Sequence, residues 1–360
     1  MRPTGKLHLG HYVGALQNWV RLQQQYECFF FVADWHALTT NYADTSDVKQ
    51  SSIDMVFDWL ASGLDPERST IFIQSHVPEH AELHLLLSMV TPLSWLERVP
   101  TYKEQRDNIK DKDLGTYGFL GYPLLQSADI LIYQADYVPV GEDQVAHIEL
   151  TREVARRFNQ FYELRQPRTI YALRPDANGS NELAQITTPK VFPEPQPLLT
   201  PAAKLPGTDG RKMSKSYGNA LLLTDPEPVL RQKLKTMVTD PARVRRTDPG
   251  NPDICPVGDL HKIFSDAETL AKVDVGCRTA GIGCIECKKW VADNIVKVIT
   301  PIQERRRRYE DNPKLAWDIL EAGSVRAKQA ASATMAEVRE SMGMSHAYEA
   351  PTKSVGRSTE

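Results

Sequence analysis

The chain has 360 residues, 41% of them hydrophobic and 25% charged, with a formal net charge of −3. A chain of that length and composition is globular and long enough for two domains. No apolar run approaches the roughly 20 residues of a membrane span, and no signal-peptide core opens the chain, so the expectation is a cytoplasmic protein without a membrane partner. The negative total excludes a uniformly basic coat, so a polyanionic partner has to be held by local patches. Five cysteines are too few and too clustered for a secreted disulfide framework and point to a reducing compartment and a metal site.

Arg2-Pro3-Thr4-Gly5 reads as a loop. His8-Leu9-Gly10-His11 then opens an amphipathic helix over Tyr12 to Gln25, and a helix N-terminus with imidazoles and a glycine is a good phosphate seat. Glu27 to Asp34 is a continuous apolar run suited to a strand buried on both faces, with Cys28 an inert thiol inside it. Asp34-Trp35-His36 follows at the strand's carboxyl end, where open α/β sheets place ligands. Thr45 or Ser46 can cap the next helix, which carries Val48, Met55, Val56, Trp59 and Leu60 and stops at Gly63. Ser69 to Gln74 is a second strand. These strand–helix–strand units predict a doubly wound parallel sheet of Rossmann-like α/β type.

Residues 76–121 read as an insertion with helical pieces around Ala81 to Met89 and a mobile loop at Lys110 to Asp113. Tyr122 to Tyr133 predicts a helix, Tyr137 to Val140 a short strand, and Gly141 to Asn159 a helix with acids early and arginines late, as the helix dipole prefers. Residues 165–210 read as irregular, with one strand at Thr169 to Leu173 and a turn at Asn178-Gly179. The resulting division is a catalytic domain over 1–224, a helical domain over 225–344, and a disordered polar tail over 345–360.

Far downstream of the histidine motif lies a basic loop, Lys212-Met213-Ser214-Lys215-Ser216, within 210–217. In that order the two motifs resemble the two signatures of class I aminoacyl-tRNA synthetases. The stretch Val138-Pro139-Val140-Gly141-Glu142-Asp143-Gln144, continuing to Phe158-Asn159, and the stretch Tyr122 to Asp129 are similar to those of the tryptophanyl-tRNA synthetases. The resemblance covers the whole chain. It implies a homodimer that activates L-tryptophan with ATP and Mg²⁺ and passes it to a ribose hydroxyl of tRNA(Trp). Tyrosyl-tRNA synthetase, a sibling with the same fold and loops, and a catalytically impaired paralogue that binds RNA or nucleotides are the competing readings.

On this resemblance His8, His11, Lys212 and Lys215 are the catalytic candidates. Attack of a carboxylate on the α-phosphate needs no general base at neutral pH, so positioning and charge stabilisation carry the step. ATP is assigned to Arg2, Pro3, Thr4, Gly10 and His11, to Gly141, Glu142 and Asp143, and to Lys212, Met213, Ser214, Lys215 and Ser216. Tryptophan is assigned to Asp129, whose carboxylate accepts the indole N–H, with Gln126, Tyr122, His36 and Gln144 around it.

Cys255, Cys277, Cys284 and Cys287 form a C-x21-C-x6-C-x2-C set. Four thiolates hold zinc or a [4Fe–4S] cluster, and spacing alone leaves both open. A subset of tryptophanyl-tRNA synthetases carries a nearly identical pattern with an iron–sulfur cluster near the anticodon-binding region, and that resemblance implies [4Fe–4S] in the helical domain. Arg231 to Arg246 is locally cationic, and Arg243, Arg245 and Arg246 are assigned to tRNA phosphate, with the run Arg305 to Arg308 adding to the charge. The chain departs from the family twice: the family places a strand before the Arg2-Pro3-Thr4-Gly5 loop, and 165–200 is longer than the family's connection.

Overall fold

The computed structural model describes residues 1–108, 113–175, 181–199 and 205–344. The loop expected at Lys110 to Asp113, the turn at Asn178-Gly179 and the tail beyond 344 therefore fall wholly or mostly outside the described residues.

The first helix is interrupted. Short α-helical pieces, α1 at Leu9–His11 and α2 at Gln17–Leu22, flank a π turn over Tyr12–Leu16. Such π turns interrupt the regular ladder and gather at functional sites. β1 (Cys28–Val32) follows, then α3 (Asp34–Asn41), α4 (Val48–Ser62) and β2 (Ser69–Ile73). β1 and β2 pair in parallel, Cys28 beside Ser69 through to Val32 beside Ile73, and all of β2 is buried. The cap of α4 is Asp47 rather than Thr45 or Ser46, because the Ser46 hydroxyl and N–H are both engaged with Asp44 Oδ1. Gly63 closes α4 in the left-handed region as expected.

α5 (Glu79–Ser88), α6 (Leu93–Glu97) and α7 (Pro100–Asn108) make up the inserted region. α8 (Tyr117–Leu131) starts at the Thr116 cap, whose hydroxyl accepts the Phe119 N–H at 3.2 Å. β3 (Tyr137–Val140) leads into α9 (Val145–Phe161). The irregular reading is overturned over most of 165–199, where the strand expected at Thr169 to Leu173 proves to be part of a longer one. β4 (Glu163–Pro175) and β5 (Asn181–Lys190) form a long antiparallel hairpin. The prolines obscured it, and their lack of a ladder donor is tolerated in a two-stranded ribbon that has only edges. β6 (Gln196–Leu199) then returns to pair in parallel with β3.

Among the described residues the α/β arrangement thus has two parallel pairs, β1–β2 and β3–β6. A cleft of ≈ 450 Å³ lies between them, lined by Met1, Phe29, Phe31, Asp129, Tyr133 and Val138 among others.

The remaining helices are α10 (Glu227–Thr236), α11 (Pro256–Phe264), α12 (Ala267–Arg278), α13 (Cys284–Asp311) and α14 (Lys314–Ser341). α14 lies back across β2. Ala316, Leu320, Ala327, Ala331, Met335 and Val338 form its fully buried stripe, at the spacing of one helix face. The approach is so close that a Cβ at Gly323 would stand 1.8 Å from the Ile71 carbonyl oxygen. Phe72, buried in the same strand, adds roughly 2–3 kcal/mol through burial alone.

Candidate functional site: two nucleotide motifs and a buried carboxylate

The two distant motifs are joined by backbone. Leu9 N–H donates to the Leu221 carbonyl at 2.9 Å and Leu223 N–H to the Leu7 carbonyl at 3.0 Å, with His8 opposite Leu222 in an antiparallel bridge. The lysine–serine loop therefore hangs directly beside the histidine motif. Met213, 4% exposed, anchors it, while Lys212 and Ser216 stay exposed. Lys215 Nζ donates to the Thr4 carbonyl and lies 3.3 Å from the Thr4 hydroxyl. Asn219, which the sequence reading missed, staples the loop. It accepts the Ser214 N–H at 2.8 Å and donates to Asp209 at 2.7 Å and to the Lys212 carbonyl at 3.2 Å.

The histidine loop is also held from below. Leu7 N–H donates to Asp58 Oδ2 at 3.1 Å, and Asp58 Oδ1 takes Arg306 Nη1 at 2.5 Å. Both charged side chains are buried, and Arg306 also reaches the Asp54 carbonyl and Glu310. Burying such a pair is costly unless its geometry and remaining hydrogen bonds are satisfied, as they are here. Arg306 is therefore a core residue, which removes it from the phosphate-contact run Arg305 to Arg308. Arg305 Nε is tied to the Ala61 carbonyl at 2.6 Å.

The His8 and His11 rings lie against each other, tilted by 35° with centroids 3.8 Å apart. Burial, then the positive charges of Lys215 and Lys212, lowers His8 to about 4. Burial, then His8 and Lys215, lowers His11 to about 3. Both rings are neutral at pH 7 and act as hydrogen-bonding groups rather than cations. Gly10 is required by contact, since a Cβ there would lie 2.8 Å from His8 Cε1.

Asp129 on α8 is a buried carboxylate that receives three side-chain hydrogen bonds. Its Oδ2 accepts His36 Nε2 at 2.8 Å. Its Oδ1 accepts Gln74 Nε2 and His80 Nδ1, both at 2.7 Å, and His80 Nε2 stands 2.7 Å from the Tyr133 hydroxyl. Burial alone pushes the carboxyl up, but bonds and charge from His36 and then His80 outweigh it and hold it well below the usual range. His36 lies in α3, the helix directly after β1, and His80 at the start of α5, beyond the short turn that follows β2. The place after β1 singles out His36 in the sequence, and the same rule applied to Ser75-His76-Val77-Pro78-Glu79-His80 would have found His80.

The other assigned residues are more dispersed. Asp129 lines the cleft between the strand pairs, whereas Tyr122, Gln126 and Gln144 do not. Tyr122 is 3% exposed, its hydroxyl 2.8 Å from Thr101 Oγ1, with the Arg2 guanidinium 5.6 Å from its ring centroid. Gln126 is half-buried. Gly141 precedes the turn of Glu142, Asp143 and Gln144, where Gln144 Nε2 donates to Asp143 Oδ2 at 2.9 Å and both acids face solvent. Pro3 and Thr4 border a separate hollow with Asp44 and Asp47.

The four C-terminal cysteines converge electrostatically. Burial, then Cys255, Cys277 and Cys284, pushes the Cys287 thiol up to about 12. Among the described residues no group of three or more His, Cys, Asp or Glu side chains is disposed to hold a metal ion. Arg243 departs from its assignment to tRNA. It is 9% exposed; its Nη atoms donate to the Arg246 carbonyl at 3.2 Å, the Ile282 carbonyl and Cys277 Sγ at 3.7 Å, while its buried Nε has no partner among the described residues. Arg245 and Arg246 face solvent.

Residues 1–300 match the family model of class I tRNA synthetases (W and Y). The chain is 51% identical to the tryptophan–tRNA ligase of Ralstonia nicotianae over 96% of its length and 98% of that protein. It is 53% identical to the tryptophan–tRNA ligase of Thermotoga maritima over the same shares. The crystal structure of tryptophanyl-tRNA synthetase from Campylobacter jejuni, complexed with ADP and tryptophan, superposes with a TM-score of 0.79 at 28% identity, covering 95% of this chain and 98% of that one.

Proposed function

The chain belongs to the class I tRNA synthetases of the tryptophan and tyrosine group, and from that membership we infer that it is a tryptophan–tRNA ligase. It activates L-tryptophan with ATP to the adenylate and transfers the amino acid to tRNA(Trp). The observation that carries this reading is the high identity to tryptophan–tRNA ligases over almost the whole of both chains.

The site supports the reading in chemical terms. Activation is attack of the tryptophan carboxylate on the α-phosphate of ATP–Mg²⁺, with pyrophosphate leaving, and its barrier is lowered by placing donors where phosphate charge develops. The junction of 7–11 with 210–223 supplies such donors. Lys212 and Lys215 offer positive charge, the Gly10 region offers open backbone, and neutral His8 and His11 offer ring N–H groups. Arg2, Pro3, Thr4, Gly141, Glu142, Asp143, Met213, Ser214 and Ser216 complete the proposed nucleotide site. Asp129 is proposed to read the indole. An ionised carboxylate has about four lone-pair positions, and three are filled by His36, Gln74 and His80, which leaves one for the indole N–H. Gln126, Tyr122 and Gln144 are proposed to shape the rest of the pocket. Arg245 and Arg246 are the proposed phosphate contacts for tRNA, and the working unit is proposed to be a cytoplasmic homodimer.

Cys255, Cys277, Cys284 and Cys287 are proposed to hold a [4Fe–4S] cluster, with zinc the alternative. The support is the donor set and its surroundings. Bound, the cluster would cross-link the segments carrying the four cysteines and provide a one-electron centre.

Tryptophan-dependent exchange of pyrophosphate into ATP tests the function. Tyrosine-dependent exchange instead would establish the sibling activity, and exchange with neither would make the chain a binding paralogue. Anaerobic purification with iron and zinc analysis tests the cluster, with about four irons per chain expected. Cys284→Ser is expected to spare exchange and weaken aminoacylation, with circular dichroism checking the fold.

A further inference from the structure

Two cations are buried around the cysteines without a carboxylate to balance them. Arg243 is 9% exposed and Lys288 8%. Among the described residues neither has an acidic group within the 4.0 Å of an ion pair. Lys288 Nζ reaches only the Lys235 carbonyl, at 3.0 Å. The nearest acid on Arg243's own turn is Asp240, and both of its oxygens are taken by backbone, Oδ1 by Ala242 N–H at 2.9 Å and Oδ2 by Asn251 N–H at 2.7 Å. Buried charges of this kind are paired or serve a bound ion. Asp240 keeps its charge while accepting those bonds, and among the described residues the thiolates of the cysteine set are the further candidates for a negative partner.

Arg243 does more than sit near them. Its fork spans three segments at once: Cys277 Sγ on α12, the Ile282 carbonyl in the loop leading to Cys284, and the Arg246 carbonyl of the exposed basic loop. The fit is tight. A Cβ at Gly250 would stand 2.8 Å from Cys277 Sγ and 3.1 Å from Arg243 Cδ. Arg246 itself lies over the cysteine loop, its Nε 3.6 Å from where a Gly283 Cβ would be. Five donors in a rigid plane suit this task, which an ammonium cannot perform in the same way.

We propose that Arg243 is the positioning residue of the four-cysteine site: it supplies the buried positive charge that balances the metal-bound thiolates, and it ties the cysteine loop to the basic loop of Arg245 and Arg246. The inference rests on the cysteines holding a metal, and it gives the basic segment a use that the assignment of Arg243 to tRNA phosphate missed. A tetrathiolate-bound cluster carries net negative charge, more so when reduced, so a fixed cation beside Cys277 favours the reduced form.

The test compares wild type, Arg243→Gln and Arg243→Lys, all purified anaerobically as full chains. Arg243→Gln is expected to lose iron to a chelator roughly tenfold faster, the loss of a charge-assisted bond, and to have a more negative midpoint potential. Arg243→Lys keeps the charge but not the fork, so its potential should return towards wild type while metal retention stays impaired. A potential and a release rate unchanged in Arg243→Gln overturn the proposal while leaving the cluster standing. If wild type carries zinc, the cluster falls, and zinc release from the two variants decides the role of Arg243 alone. Metal-free wild-type protein removes the cysteine site itself and the proposal with it. Where Arg243→Gln fails to fold, Arg243→Lys carries the test, and normal retention in that variant refutes the tie between the loops.

Discussion

Replacing Asp129 by Asn is the most informative single perturbation of the proposed indole site. The carboxylate receives Gln74 and His80 on Oδ1 and His36 on Oδ2. An amide has one acceptor oxygen, which keeps the first two donors. Its NH₂ then faces His36, whose ring must shift to the tautomer that accepts at Nε2. That NH₂ has no lone pair for an indole N–H, so the substrate contact is lost rather than weakened. A hydrogen bond to a charged acceptor contributes about 1.5–3 kcal/mol, which converts to a fall of roughly 10- to 150-fold in kcat/KM for tryptophan. The KM for ATP should hardly move. Pyrophosphate exchange with each substrate varied in turn measures both, and a urea titration checks that the variant is folded. An unchanged tryptophan KM would remove Asp129 from the amino-acid site.

Lys215→Ala should lower kcat far more than either KM, because a loop lysine resting on Thr4 meets phosphate mainly as charge develops; a loss confined to the ATP KM would make the loop a ground-state clamp. Gly323→Ala should destabilise by about 3 kcal/mol or more, at the upper end for overpacking, since the new Cβ meets the rigid backbone of β2; a urea midpoint equal to wild type would refute the close packing of α14. His8 and His11 are held at about 4 and about 3 in the fold, against about 6.5 in the unfolded chain. Between pH 4 and 6.5 the unfolded state therefore binds more protons, so stability should fall as pH is lowered through that window. The double variant His8→Gln, His11→Gln should show a flatter slope there, and an unchanged slope would place these protons elsewhere.

What the sequence made legible was whatever left a local pattern. β1 and β2 were readable as continuous apolar runs, although only β2 is buried on both faces and Cys28, Phe29 and Phe31 of β1 are half-buried beside the cleft. α4 was readable from its helical period and from Gly63. The histidine motif and the lysine–serine loop were readable as a pair because their residue types and order are specific, and the structure joins them by backbone. The hairpin of β4 and β5 was legible only at Thr169 to Leu173, because among the described residues its strands pair only with each other and its prolines read as loop. Arg243 and Arg306 show a different limit. Both sit in cationic runs, and composition cannot tell an arginine turned inward onto Asp58 or Cys277 from one turned outward. The same holds for His80 and Gln74, whose role exists only because α8 brings Asp129 between them.

One helix connects the two functional regions mechanically. α13 runs from Cys284 to Asp311, 28 residues. Cys284 and Cys287 occupy its first turn, and Arg306 lies near its other end, ~33 Å away at 1.5 Å per residue. Arg306 grips Asp58, and Asp58 holds the Leu7 N–H at the entrance to the histidine motif. The buried face between them, Val291, Ala292, Ile295 and Ile299, packs into the same core as Leu7, Leu9 and Trp59. The nucleotide loop is thus secured at the far end of the rod by a pair that does not involve the cysteines. Loss of the proposed metal would free only the first turn of α13, next to Lys288, and its contact with the Arg243 turn, while the packed middle of the rod keeps Arg306 in place. That separation is the physical reason Cys284→Ser should disturb tRNA handling before amino-acid activation. It also gives Arg306→Met the opposite signature, with activation failing while the metal is retained.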